Sequence, residues 1–334
     1  MHVLLTGGSG FIGSKLLPQL YREGHTLRAL ARDPARLRLP SAWGVEVVRG
    51  DVVSGAGLAQ AMADVEVAYY LIHSMERQSA ASTNRKPGPH ASSPDSSSAR
   101  RARAADFPAR ERTAATRFAN AARRAGVRRI VYLGGPLPSA PAATVSRHLA
   151  SRVAVERTLL EAVPDSVALR ASIVLGARSR SFRFMVRLVE RMPVLALPAW
   201  RRFRTQPIDA RDVTAMLAAA AHEPAVAGRS LDIGGPDVLS YGELLERIAE
   251  LMLVNRPAVG LSLSVTPVAA RVAAAIAGED PALTLPLMES LEGDLLAPDA
   301  VANAAALNVR LHSFNAAVEH ALAEWEATES LAAR

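Results

Sequence analysis

The chain opens with a short apolar strand, residues 2–5, that runs directly into Thr6-Gly7-Gly8-Ser9-Gly10-Phe11-Ile12-Gly13. Few folds use a strand that breaks on glycines and resumes as a helix. Gly7, Gly10 and Gly13 have the G-x-x-G-x-x-G spacing. Such a turn lets backbone N–H groups approach a pyrophosphate and sets the anion at a helix N-terminus. The surroundings agree. A helix is predicted from Phe11 to about Glu23 with Gly24 as its C-cap, and a second apolar strand, Thr26–Ala31, completes a βαβ unit. Thr6, Gly7, Gly10, Phe11, Ile12 and Gly13 are therefore candidate cofactor-binding residues.

The end of the second strand bears on which dinucleotide is bound. An acidic residue there suits the ribose 2′-hydroxyl of NAD, whereas an arginine suits the 2′-phosphate of NADP. The chain has Arg32, followed by Asp33-Pro34-Ala35-Arg36. A guanidinium can meet a phosphate with two parallel donors and stack on adenine. NADP(H) is the expected cofactor.

The strand–helix alternation continues. Strands are predicted at residues 45–48, 65–72, 129–133, 167–175 and 230–233, with the clearest helices at 107–125 and 147–161. Repeated βα units with nearly continuous apolar strands predict an α/β fold built on a doubly wound parallel sheet. Residues 77–105, rich in Ser, Ala, Pro and Arg without apolar periodicity, are predicted as a disordered loop on the ligand edge of that sheet, with a functional lid as the alternative. Beyond residue 176 the rhythm weakens. Segments 180–191, 240–252, 265–277 and 313–327 have helical character, interleaved with returns to the sheet near 205–213 and 230–235. The expected organisation is a dinucleotide-binding domain over 1–176 and a small, mostly helical substrate-binding region over 177–334.

Composition removes several chemistries. The chain has no cysteine, which excludes disulfides, thiolate metal sites and cysteine nucleophiles. The eight histidines show no H-E-x-x-H spacing, and no G-x-S-x-G elbow occurs. No metal is expected. No uncharged apolar run is long enough to span a bilayer, and the first strand leads at once into the glycine turn without a signal peptide. A cytoplasmic protein with no integral membrane segment is expected. The net charge of +7 is concentrated in residues 77–105 and in 178–204, where eight arginines face one acidic residue, Glu190. A nucleic-acid partner is not expected from charge so confined. In the second patch Arg180, Arg183, Arg187 and Arg191 form a stripe opposite Phe182, Met185, Val186 and Val189. This is an amphipathic helix with a basic face, solvated by default, or else a surface for a partner, an anionic substrate or an anionic membrane.

At this point the chain resembles the extended and atypical short-chain dehydrogenase/reductases, whose fold is a Rossmann-type sheet. The glycine turn resembles their T-G-G-x-G-F-I-G signature. Asp51-Val52 resembles the acidic residue at the third strand that contacts adenine. Leu169-Arg170-Ala171-Ser172-Ile173-Val174-Leu175-Gly176 resembles their L-R-x-x-x-V-x-G strand, and Gln206-Pro207-Ile208-Asp209-Ala210-Arg211-Asp212-Val213 their V-x-D-V segment. Tyr70-Leu71-Ile72-His73-Ser74-Met75 is similar to the Y-L-V-H-S-M strand end of NmrA-like NAD(P)H-binding members. The resemblance covers residues 1 to about 250. It implies cofactor contacts at Asp51, Val52, Ile72 and His73, and a homodimer through the helices near 107–125 and 147–161.

The catalytic positions depart from that pattern. Family members use a Tyr-x-x-x-Lys pair and a serine or threonine, the tyrosine moving the proton and the lysine holding the nicotinamide ribose. Here the aligned helix places His148 in the tyrosine position and Arg152 in the lysine position, and Gly134-Gly135 stand at the serine. His148 and Arg152 lie one helical turn apart. His148 is a candidate general acid, its free imidazole pKa of ~6.5 suiting neutral pH. Arg152 is a candidate for the ribose or a substrate carboxylate. His73 is a candidate pocket-lining or proton-transfer residue. Tyr70 and Tyr132, on strands, are expected in the core. The expected function is an NADPH-dependent oxidoreductase acting on a small apolar carbonyl, imine or activated alkene. The apolar segments 261–268 and 283–287 suit such a substrate. The alternatives are a non-catalytic NADP-binding redox sensor or assembly factor and, more weakly, a nucleotide-sugar epimerase, which needs the missing tyrosine too.

Overall fold

The computed structural model describes residues 1–72, 96–136, 147–261, 275–276, 278 and 293–331, with side chains for all of these except 96–107 and 147–149. Seven strands form one sheet: β1 (His2–Thr6), β2 (Thr26–Ala31), β3 (Glu46–Arg49), β4 (Val67–Tyr70), β5 (Arg129–Gly134), β6 (Val167–Ala171) and, late in the chain, β11 (Ser230–Ile233). Their order is β11-β6-β5-β4-β1-β2-β3, with every neighbouring pair parallel. The order reverses between β1 and β4. A crevice at the carboxyl ends of the strands is where such sheets bind ligands, and the glycine turn leaves β1 there.

Alternation along the strands divides the core into two layers. Val3, Leu5, Tyr69, Val131 and Leu133 face α1 (Gly13–Arg22) and α6 (Ala210–Ala220). Leu4, Tyr70, Ile130 and Tyr132 face α2 (Leu58–Met62), α3 (Ser96–Arg124) and α4 (Arg147–Ala162). Strands covered on both faces carry no polar alternation, which is why they read as apolar runs.

Two expectations change. The segment 77–105 is not a loop throughout: residues 96–105 are the first turns of α3, while 77–95 lie outside the described residues. The apolar run 167–175 is not one strand. It breaks at Ser172–Ile173 into β6 and a separate β7 (Val174–Leu175), which pairs in parallel with β10 (Ile208–Asp209). Ser172 sits at the break and donates its hydroxyl to the Gln206 carbonyl at 2.9 Å, drawing the chain off the main sheet.

A further apolar cluster is built from β7, α5 (Arg180–Arg191), β8 (Leu195–Leu197), α7 (Tyr241–Leu251) and the last helix, α9 (Phe314–Glu326). The remaining elements are β9 (Arg204–Thr205), β12 (Leu239–Ser240), β13 (Ala258–Gly260) and α8 (Ala300–Ala306). The predicted helices 180–191, 240–252 and 313–327 are present within a residue or two, whereas most of 265–277 lies outside the described residues.

The arginine stripe of α5 is not an open solvated face. Arg183 lies 4.1 Å and Arg187 5.0 Å from the centre of the Trp325 ring, and Glu329 accepts from both arginines. Arg187 also reaches Glu190 at 2.5 Å, and Arg191 donates to the Ile276 carbonyl at 2.7 Å. Trp325, near the end of α9, and Glu329, just beyond it, thus cover the middle of the stripe, while Arg180 and Arg191 are exposed.

Candidate dinucleotide site

At the end of β1 the Thr6 hydroxyl donates to the Tyr69 carbonyl at 2.8 Å and is fully buried. Thr6 thus pins β1 to β4 and leaves only its backbone to a ligand. Gly7 has φ +78°, a conformation that costs an L-residue about 1–2 kcal/mol. A Cβ there would lie 2.6 Å from the Leu71 carbonyl oxygen. At Gly13 a Cβ would lie 2.2 Å from the Gly7 carbonyl oxygen and 2.8 Å from Gly8 Cα. The Gly10 N–H closes the turn onto the Gly7 carbonyl at 2.9 Å. Ile12 precedes α1 without a capping side chain; Ser14 N–H turns back to the Gly10 carbonyl at 3.0 Å, so backbone alone forms the helix start. This is a cradle of bare backbone at a helix start, and a dinucleotide diphosphate fits its chemistry.

Phe11 links the cradle to the rest of the chain. A Cβ at Gly176 would lie 2.6 Å from the Phe11 ring, so glycine at the end of the L-R-x-x-x-V-x-G motif makes room for it. Just beyond, Arg178 donates to the Ser14 hydroxyl at 3.0 Å, on the first turn of α1. Arg178 is exposed and puts a cation beside the cradle. The sequence showed it only as one member of a basic patch. Lys15, on the same turn, is tied instead to Glu324 at 2.6 Å.

Arg32 is exposed at the end of β2 and makes no ion pair among the described residues. Asp33 caps the following short helix at Ala35 N–H. Arg36 and Arg38 are exposed on the same loop, while Leu37 packs over Gly8, with a Cβ on Gly8 falling 3.1 Å from it. The loop that touches the cradle through Leu37 therefore carries three exposed arginines. Asp51 follows β3 and is half buried. One of its carboxylate oxygens accepts from Val53 N–H at 3.0 Å, shaping its own turn. Val52 is buried among Leu30, Leu58 and Met62, so only its backbone faces outward. Ile72 is half buried against the same cluster.

Of the catalytic candidates, His73 and the side chain of His148 lie outside the described residues; residue 148 is on α4. Arg152 is described, and its charge bears on the Tyr132 hydroxyl on β5. Burial pushes the Tyr132 phenol up to about 12, against the opposing pull of Arg152, so the hydroxyl is neutral at pH 7. Below this pair, two family-like motifs meet. Glu156 of α4 receives Arg170 of β6 through both carboxylate oxygens, at 2.6–3.1 Å, and the Ser230 hydroxyl of β11 at 2.7 Å. Asp232 stands 3.6 Å from the other side of the guanidinium. This ties the catalytic-position helix to the sheet. Among the described residues no cluster of His, Asp and Glu could hold a metal ion.

Residues 7–156 match a family model described as NAD(P)H-binding. That match covers 150 of the 334 residues and takes in Gly7, Gly10 and Gly13. The seven-strand parallel sheet has a Rossmann-like α/β architecture. Among curated relatives, a 3-beta-hydroxysteroid dehydrogenase of Mycolicibacterium neoaurum is 36% identical over 69 residues, 21% of this chain. The match spans only 18% of that protein's length. Among solved structures, a nucleoside-diphosphate-sugar epimerase from Staphylococcus aureus aligns with TM-score 0.70 at 14% identity, covering 96% of this chain and 100% of the other. MoeE5 in complex with UDP-glucose and NAD aligns with TM-score 0.65 at 19% identity, covering 98% and 99%. These likenesses are of fold and run through the C-terminal part of the chain as well. Among the described residues no helix is long and apolar enough to cross a membrane.

Proposed function

We propose that this chain is an NADPH-dependent oxidoreductase that directs hydride to an apolar carbonyl, imine or activated alkene. The observation that carries the assignment is the glycine cradle, where a side-chain carbon at residue 13 would meet backbone at 2.2 Å. The cradle and the start of α1 hold the diphosphate. Arg32, assisted by Arg36 and Arg38, holds the 2′-phosphate; Asp51 faces the adenine, and Arg152 the nicotinamide ribose. When bound, the nicotinamide supplies the hydride. With glycine at 134 and histidine at 148, the usual proton donors are absent, which favours acceptors that need less protonation at oxygen, such as a polarised C=C or C=N. The hydroxysteroid in the name of the matched relative is a comparably apolar molecule, although as an alcohol it is a hydride donor and its ketone product the acceptor.

The same departures favour a second reading, a non-catalytic NADP-binding sensor or assembly factor. An epimerase is weaker because its chemistry needs the absent tyrosine. Purified protein mixed with NADPH and a panel of enones, imines and ketones, followed by absorbance of the reduced cofactor, separates the first two. Turnover supports the enzyme, whereas tight NADPH binding without turnover on any compound supports the sensor. For the cofactor itself, Arg32→Ala should weaken NADPH binding roughly tenfold or more, as for loss of a charge-assisted contact, and leave NADH nearly unchanged. Equal losses for both would show that Arg32 does not read the 2′-phosphate.

A further inference from the structure

Two contacts hold the segment after β7 against the start of α1. The Phe11 ring packs on Gly176, where a Cβ would lie 2.6 Å from Cζ and 3.3 Å from Ala210 Cβ. Two residues on, the Arg178 guanidinium donates to the Ser14 hydroxyl at 3.0 Å. That hydroxyl in turn donates to the Phe11 carbonyl at 3.0 Å. Phe11 lies between Gly10 and Gly13, so both contacts end on the cradle itself. The backbone at Arg178 is held from either side: Ala177 and Ser179 are buried, and the Ser179 hydroxyl caps α5 at Phe182 N–H. The Arg178 side chain is nonetheless exposed and makes no ion pair among the described residues. The cation on the first turn of α1 itself, Lys15, is already paired with Glu324 at 2.6 Å. Residue 178 also lies beyond residues 7–156, the part matched as NAD(P)H-binding.

We propose that Arg178 binds the dinucleotide diphosphate, supplied by the C-terminal part of the chain to a cradle built by the N-terminal part. This rests on the dinucleotide assignment under Proposed function. A diphosphate in the cradle is dianionic, whereas the start of a helix offers only about half a unit of positive charge. Backbone N–H groups orient the anion but leave most of its charge unmatched. A guanidinium supplies a full charge and planar, paired donors that fit phosphate oxygens. It has five donors in a rigid plane, so one N–H can rest on Ser14 and fix the plane while others meet the ligand. Arg32, Arg36 and Arg38 belong to the loop after β2 and serve the 2′-phosphate, which NADH lacks. Arg178 serves the group that both dinucleotides share. The two sets of arginines therefore differ in what they read, one the choice of dinucleotide and the other its presence.

The test is calorimetric titration of the full chain with NADH, NADPH, ADP and adenosine 2′-monophosphate, for wild type, Arg178→Met and Arg178→Lys, with thermal unfolding recorded for each. ADP carries the diphosphate without the 2′-phosphate, and adenosine 2′-monophosphate the reverse. Arg178→Met keeps an unbranched stem and removes the charge. It should lose about tenfold in affinity for NADH, NADPH and ADP alike, the scale of a hydrogen bond to a charged group. Its affinity for adenosine 2′-monophosphate should match wild type. Arg178→Lys, which keeps the charge but not the fork, should recover part of the loss. Since the side chain is exposed, the difference between wild type and Arg178→Met should shrink as salt is raised. Unchanged NADH and ADP affinity in Arg178→Met would overturn the inference and leave Arg178 as a strut for Ser14. An equal loss for adenosine 2′-monophosphate would overturn it too, as a general effect on the fold. In both cases wild type still binds dinucleotide and the cofactor assignment stands. Wild-type protein that binds neither NADPH nor NADH would remove that assignment and this inference with it.

Discussion

Gly13→Ala should abolish dinucleotide binding and destabilise the fold by about 3 kcal/mol, at the upper end of the cost of overpacking. In an ordinary helix the same change is favourable by about 1 kcal/mol, because alanine loses less backbone entropy. Here the sign is set by what the new carbon meets. At 2.2 Å from the Gly7 carbonyl oxygen and 2.8 Å from Gly8 Cα, it collides with backbone rather than with the movable end of a side chain. Relief requires the turn to open, and the turn is closed by the Gly10 N–H bond to the same Gly7 carbonyl. Urea unfolding gives the stability loss and calorimetric titration the loss of NADPH and NADH together. A variant that binds both dinucleotides normally would show that the cradle is only a turn.

The second large effect is expected at Glu156→Ala, which should destabilise the protein by roughly 3 kcal/mol, the cost of stranding one partner of a buried ion pair. Glu156 has side-chain exposure of only 8% and Arg170 15%. Removing the carboxylate deprives the guanidinium of a two-oxygen acceptor and the Ser230 hydroxyl of its acceptor at once. Asp232, at 3.6 Å, offsets part of the loss and keeps the cost below the maximum for an isolated buried charge. Glu156→Gln, which retains an oxygen acceptor, should cost clearly less. Chemical denaturation of the two variants side by side measures the difference. Equal costs for both would place the effect in packing of α4 and not in the charge.

The parts of this fold that were legible in sequence are those governed by local spacing. The β1–turn–α1 unit is fixed by glycines that no other residue can replace, and the apolar strands follow from burial on both faces. Legibility fails where the deciding partner is distant. The start of α3 is a Ser/Ala/Arg run without apolar periodicity; its alanines and arginines are good helix formers, and propensity was the available signal. The break between β6 and β7 is hidden in a continuous apolar run because Ser172 is held by the Gln206 carbonyl. The stripe on α5 reads as a solvated face because its partners, Trp325 and Glu329, lie more than a hundred residues on. In the site, strand alternation already places Tyr132 and Gly134 on one face, but only the fold shows that the ring occupies the place of the absent side chain. Arg32 was legible as a strand-end residue, whereas Arg178 was not, since nothing in its neighbourhood announces contact with α1.

The contacts of Trp325 and Glu329 with Arg183 and Arg187 turn part of the chain's basic charge to a structural use. By composition the chain is strongly basic, with a pI near 10.4, and such proteins commonly stick to polyanions. Here Arg183 and Arg187 are already engaged by Glu329 and the Trp325 ring. Their positive charge works as an internal clamp, holding the last helix of the chain against α5.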